Sequence, residues 1–154
     1  MLIIKKAILQ EVIMVKELID YTLDYFYKDY YNTESLDYLK NDYHSIENII
    51  HDIQQENVYI LCYSNKIIGT GTIENNYIKR LFVLKDFQKK GYGTYIMNFL
   101  EQTILKNGYN EIILDALVIS KDFFTKIGYL TINEKVWVVK SGKDFKYFEM
   151  KKIK

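Results

Sequence analysis

Three β-rich runs, residues 58–63, 67–73 and 77–84, follow one another with only short breaks, which contain Ser64-Asn65 and Asn75-Asn76. Breaks this short cannot carry the crossover that parallel neighbours need, and Asn accepts tight-turn backbone. The three runs therefore predict an antiparallel meander. Gly69 and Gly71 interrupt the middle run, which marks a bulge or a close backbone approach.

On either side of the meander the apolar period changes. Residues 2–7 read as a short strand. Over 11–27, Val12, Val15, Ile19, Leu23 and Phe26 recur at three- and four-residue spacing, the pattern of an amphipathic helix. The pattern breaks over 28–32, where Asn32-Thr33 offers a cap for a short helix carrying Leu36 and Leu39. Ile46, Ile49, Ile50 and Ile53 then stripe another helix that ends near Asn57. Helical spacing returns from Gly91, with Ile96, Phe99, Leu100 and Ile104 on one face and Asn107-Gly108 as the stop. The run 111–117 is almost continuously apolar and reads as a central strand. A short helix over 120–127, closed by Gly128, precedes a final strand pair, 129–139 and 145–152, turning around Ser141-Gly142. With no linker, repeat or low-complexity tract, residues 1–154 read as one mixed α/β domain.

Composition removes several function classes. A net charge of +1 lacks the basic excess expected of a nucleic-acid binder, so no nucleic-acid partner is expected. No apolar run reaches membrane-spanning length, and Met1-Leu2-Ile3-Ile4-Lys5-Lys6 is too short for a signal peptide. The expectation is a cytoplasmic protein with no membrane partner. The single cysteine, Cys62, excludes an intramolecular disulfide; it lies in a strand-like run and reads as a buried, inert thiol. No cluster of His, Cys and carboxylates suggests a metal site. The 15 Tyr alongside no Pro have two readings. One is a codon bias that inflates Lys, Ile, Asn and Tyr together. The other is a tyrosine-lined pocket, each ring offering an apolar face and a polar tip.

The strongest chemical signal is the join between the third run and the helix that follows, Gln88-Lys89-Lys90-Gly91-Tyr92-Gly93-Thr94. Two glycines one residue apart let the backbone turn and approach a ligand. The free N–H groups and dipole of a helix start favour an anion such as a pyrophosphate. Lys89 and Lys90 add charge and Thr94 a hydroxyl. The order is not that of a Walker loop, and Ile96 breaks the three-glycine dinucleotide pattern. By spacing alone, a plain helix start with glycines for packing fits as well.

The segment Gln88-x-x-Gly91-x-Gly93 resembles motif A of the GCN5-related N-acetyltransferases, and Leu81-Phe82-Val83 is similar to the strand that precedes it there. Phe123-Phe124-Thr125-Lys126-Ile127-Gly128-Tyr129 is similar to that family's motif B, one helix and one strand downstream. The resemblance covers nearly the whole chain. It implies the family's fold, a mixed central sheet of about six or seven strands with about four helices, splayed between strands 4 and 5. It also implies acetyl-CoA as cosubstrate and a small-molecule or peptide amine as acceptor; a homodimer is common in the family. Backbone groups of Phe82 and Val83 would pair with the pantetheine arm, and the Val83 amide would polarise the acetyl carbonyl. Amides from Gln88, Lys89, Lys90, Gly91, Tyr92, Gly93 and Thr94 would hold the pyrophosphate. Phe123, Phe124 and Lys126 would flank the coenzyme.

The chain departs from the family where protons move. Tyr77 stands where many relatives carry a basic carboxylate or His, which leaves Glu74, Asp115 and Tyr77 as candidates to relay the amine proton. Phe124 replaces the motif B tyrosine that serves relatives as the acid. Another tyrosine would have to substitute, or the thiolate would leave unaided. His44 and His51 fall in the helical region that lines the acceptor site in relatives, at positions where exposure is the ordinary state. Direct acetyl transfer to a primary amine is the leading expectation, and a non-catalytic acyl-CoA-binding or sensing module is the alternative.

Overall fold

Ser64 and Asn65 both take left-handed backbone, φ 47° and 69°, as a two-residue hairpin loop requires. They join β2 (Val58–Tyr63) to β3 (Lys66–Glu74), and Asn75, φ 57°, turns the chain into β4 (Tyr77–Val83). The three strands pair antiparallel, and β1 (Leu2–Lys6) adds antiparallel to β2. The expected meander is therefore present.

After β4 the chain crosses through α4 (Tyr92–Lys106) and returns as β5 (Glu111–Leu117), parallel to β4. α5 (Lys121–Lys126), β6 (Leu130–Val138) and β7 (Asp144–Ile153) complete the chain, β7 lying between β5 and β6. The result is one seven-stranded sheet of order β1-β2-β3-β4-β5-β7-β6. This computed structural model describes residues 1–138 and 144–154; the turn expected at Ser141-Gly142 lies outside the described residues.

Strand alternation divides the interior into two cores. On one face α1 (Val12–Phe26), α2 (Thr33–Tyr38) and α3 (Ile46–Gln54) bury Val15, Ile19, Leu23 and Ile49 against Ile60 and Phe82. On the other, α4 buries Ile96, Met97, Leu100 and Ile104 against Leu61, Ile68 and Leu114. Each such side chain contributes about 1.5–3 kcal/mol relative to exposure. Caps set the helix starts. Asn32 Oδ1 accepts from the Ser35 N–H at 2.8 Å, as expected, and Ser45 Oγ accepts from the Asn48 N–H at 3.1 Å. The glycines of β3 mark a close approach: a Cβ on Gly69 would lie 2.7 Å from Ile96 Cδ1, and one on Gly71 2.7 Å from Leu100 Cδ1. α4 can sit this near the sheet only because those side chains are missing.

β3 carries one extra residue against β2, beside Gly69, where a bulge or close approach was expected, and β6 one against β7; the irregularity that bears on the site falls on β4. Thr70 stands opposite Phe82, but Thr72 stands opposite Lys79, so β4 carries one extra residue. Arg80 absorbs it at φ 55°, a left-handed position unusual for a residue other than Gly. Its guanidinium is buried and donates to the Asp52 carboxylate of α3. Lys79 Nζ lies 3.2 Å from the same carboxylate and 3.7 Å from Glu74. One buried anion thus ties α3 to the bulge and is shared by two neighbouring cations. Asp52→Asn should cost about 3–5 kcal/mol in urea denaturation, since it strands a buried guanidinium. Arg80→Met should cost less, because Lys79 still partners Asp52; an equal or larger loss at Arg80 would place the anchor elsewhere.

Candidate active site

β4 and β5 pair at two positions only, Tyr77 with Ile113 and Ile78 with Leu114. Beyond Ile78 and Leu114 the strands part and leave a cleft. Phe82, Leu117, Ser120, Phe124 and Tyr27 line its upper end, toward the C-terminal ends of the two strands. Tyr77 and Asp115 form its floor, with Tyr38, Tyr43, His44, Trp137 and Tyr147 along the side.

The glycine loop follows the C-terminal end of β4. A 3₁₀ turn, Lys85–Phe87, is followed by extended backbone at Gln88, and then Lys89 and Gly91 both adopt positive φ, 59° and 87°. The first bond of α4 runs from the Tyr95 N–H to the Gly91 carbonyl at 2.9 Å. The N–H groups of Tyr92, Gly93 and Thr94 therefore have no acceptor within the helix and are available to an anion. A Cβ on Gly91 would meet nothing within 4 Å, whereas one on Gly93 would lie 3.2 Å from the Phe123 ring of α5. Gly91 serves the backbone conformation, and Gly93 serves the approach of α5. Lys89 and Lys90 are exposed beside the loop.

Gln88 has a bracing role that its motif position does not announce: its Nε2 donates to the Val83 carbonyl at 2.8 Å. The Leu84 N–H donates to the Ile68 carbonyl at 2.8 Å on the β3 side. Alternation along the strand then turns the Val83 N–H toward the gap. Phe82 and Phe124 place buried rings in the cleft wall. Phe123 packs over the first turn of α4, and Lys126 is exposed; neither lines the cleft.

Of the three proton-relay candidates the structure joins two. The Tyr77 hydroxyl donates to Asp115 Oδ2. Asp115 Oδ1 is buried and has no hydrogen-bond partner among the described residues. Burial raises the Asp115 pKa above the ordinary carboxylate value, although the bond from Tyr77 acts in the other direction. Burial and the adjoining Asp115 raise Tyr77 as well. Glu74 lies outside the cleft lining, 54% exposed, with Lys79 as its partner. Cys62 is only partly buried and also lies away from the cleft. Among the described residues, no three His, Cys, Asp or Glu side chains gather as metal ligands, and no helix is long and apolar enough to cross a membrane.

Two features escaped the sequence. His44 is 4% exposed, not surface-lying; only His51 is exposed, as expected. His44 follows a single π-helical turn, Leu39–Tyr43, whose wider period breaks the 3.6-residue register by which inward positions are recognised. Its ring meets Phe82 and Tyr43 edge-on, with centroids 5.4 and 4.7 Å away. Burial, then the charges of Arg80, Lys16 and Lys79, holds it neutral, its pKa well below the usual 6.5. The second feature is the Tyr27 hydroxyl, 3.0 Å from Ser120 Oγ. Burial pushes its pKa up to about 12, so it stays protonated at neutral pH. The two residues are 93 positions apart in sequence, and no local pattern connects them.

His44 gives a pH signature. The unfolded chain takes up its proton near pH 6.5 and the folded chain does not, so stability falls as pH drops through that value. Between pH 7.5 and 5.5 the wild type should lose about 1 kcal/mol by this route. His44→Gln should flatten the curve; an unchanged slope in chemical denaturation would assign it to other groups.

The family model described as "Acetyltransferase (GNAT) domain" matches residues 27–153. An uncharacterized N-acetyltransferase of Chlorobaculum tepidum is 29% identical over 105 residues, which span 65% of this chain and 65% of that protein. A GCN5-related N-acetyltransferase from Rhodopseudomonas palustris superposes with TM-score 0.85 at 16% identity, covering 99% of this chain and 95% of that one. The PaiA N-acetyltransferase from Thermoplasma acidophilum, solved in complex with coenzyme A, superposes with TM-score 0.78 at 18% identity, covering 100% and 99%. At these identities the two structures share the fold. The family match spans the meander, the glycine loop and the parted strands, and the chain belongs to the GNAT acetyltransferase family.

Proposed function

We propose that the protein transfers the acetyl group of acetyl-CoA to a primary amine by direct attack. The observation that carries this reading is the early parting of β4 and β5. It opens a cleft lined by Phe82 and Phe124 and by the Tyr77–Asp115 pair, and the glycine loop with its free helix-start amides follows directly on the end of β4. The coenzyme's pyrophosphate would rest on the amides from Tyr92 to Thr94, flanked by Lys89 and Lys90. Its pantetheine arm would run along the β4 side of the gap, where the Val83 N–H would polarise the thioester carbonyl.

The amine nitrogen attacks the carbonyl carbon, a C–N bond forms, and the C–S bond breaks. The nitrogen must first be neutral. Tyr77 and Asp115 suit that task as a relay: the amine proton passes to the phenol oxygen while the phenol proton passes to the carboxylate. The raised proton affinity of Asp115 favours it. At the other end the CoA thiolate needs a proton, and Phe124 has none to give. Tyr27, hydrogen-bonded to Ser120 in the wall shared with Phe124, is the protonated hydroxyl available there. The Phe124 N–H donates to the Ser120 carbonyl at 3.3 Å, which sets the hydroxyl pair beside the motif B helix. With Cys62 off the cleft, an acyl-thiol intermediate on this chain has no support.

The test is twofold. Purified protein should bind CoA in calorimetry, and Gly91→Val, which forces a branched side chain into left-handed backbone, should lose that binding while keeping its circular dichroism spectrum. Free thiol release should appear with at least one class of amine. Tyr27→Phe should lower kcat by about tenfold or more, since general acid–base assistance is worth about 10²–10⁴-fold. Tight CoA binding with no turnover on any amine would instead make the protein an acyl-CoA-binding module.

A further inference from the structure

One side of the cleft is walled by rings brought together from distant parts of the chain: Tyr38 at the end of α2, Tyr43 in the π turn, Trp137 on β6 and Tyr147 on β7. Trp137 is the hub, with centroid distances of 5.3 Å to Tyr38, 5.6 Å to Tyr43 and 5.9 Å to Tyr147. Sheet register fixes where this wall stands. Tyr147 lies opposite Leu117 and Glu149 opposite Asp115, so the rings rise beside the strand that carries the floor carboxylate. All four are half-buried.

The charges around the cleft are unevenly matched. Lys79 and Arg80 line it, but both are held by Asp52, and Lys79 also by Glu74. Lys135, near Asp115, pairs with Glu149 at 3.6 Å. Among the described residues, Lys79, Arg80 and Lys135 therefore each have a carboxylate partner. Asp115 is different, because its Oδ1 accepts nothing among the described residues. Aromatic faces attract cations and cover apolar stems, and an unmatched carboxylate attracts an ammonium. A carboxylate-bearing or polyhydroxylated acceptor would instead need uncommitted donors, and these cations are already committed.

We propose that the acceptor is a primary amine on an apolar stem, alkyl or aryl, with no acidic group. The stem lies against the Trp137 wall, and the nitrogen points to the Tyr77–Asp115 pair. This inference rests on the acetyl-transfer reading for its chemistry, but the binding it describes can be measured separately.

Trp137 is the only tryptophan of the chain, so intrinsic tryptophan fluorescence reports on this wall directly. With CoA bound, n-hexylamine and phenethylamine should change the emission saturably, and glycine and glucosamine should not. In steady-state assays the first two should show about tenfold or higher kcat/KM over the second two. Trp137→Leu keeps an apolar side chain but removes the π face. It should raise KM for n-hexylamine by about tenfold, the scale of losing roughly 50 Å² of apolar contact with the stem, with kcat and CoA affinity nearly unchanged; Trp137→Phe should recover much of the loss. A fluorescence response without turnover would sink the transfer reading and leave the amine site standing. Absence of a response to both apolar amines, equal or better turnover of glycine or glucosamine, or an unmoved KM in Trp137→Leu would each overturn the inference.

Discussion

The buried contact between Asp52 and Arg80 is the constraint from which the site follows. A guanidinium in the interior is tolerated only beside a carboxylate, and here the carboxylate belongs to α3 while the guanidinium belongs to the sheet. The pairing holds Arg80 in left-handed backbone and so holds the extra residue of β4 in place. A bulge bends and twists the strand that carries it. β4 consequently leaves β5 after two paired residues, and the opening becomes the cleft. The helices of one face, through Asp52, thereby support the gap in the sheet.

The two ends of that gap use different physics. The upper end presents backbone: helix-start amides, the Val83 N–H and a loop braced by Gln88. Such groups keep their positions whatever their side chains are, and they suit a ligand whose polar parts do not vary. The ring-walled part presents side chains from α2, the π turn, β6 and β7 around a single carboxylate. Each of these can change without altering the sheet, which suits the half of a reaction where specificity lies. His44 sits between the two, buried and neutral, against Phe82 on one side and Tyr43 on the other.

Much of this was legible in the sequence, and where it was not the reason is physical. Periodicity located the meander, α4 and the central strand, because a strand or helix buried on one side must repeat its apolar residues. The loop from Gln88 to Thr94 was legible because left-handed backbone at Gly91 needs a glycine. The bulge at Arg80 was not: Gly69 and Gly71 pointed to β3, which does carry a bulge beside Gly69 and the close approach of Ile96 and Leu100, whereas the extra residue beside the site is Arg80 on the neighbouring strand. Tyr77, Asp115 and Glu74 were equal candidates in the sequence, and only the fold separated the hydrogen-bonded pair from the exposed carboxylate.

By itself the sequence determined the element order, the antiparallel meander, the anion-suited helix start and the family resemblance. All of these rest on residues near one another in the chain, where spacing and backbone preference act directly. Tertiary structure alone decided the partner of Arg80, the burial of His44, the meeting of Tyr27 with Ser120 and the gathering of three tyrosine rings around Trp137. Those contacts join residues dozens of positions apart, and their energies depend on burial and distance, which a one-dimensional pattern does not carry.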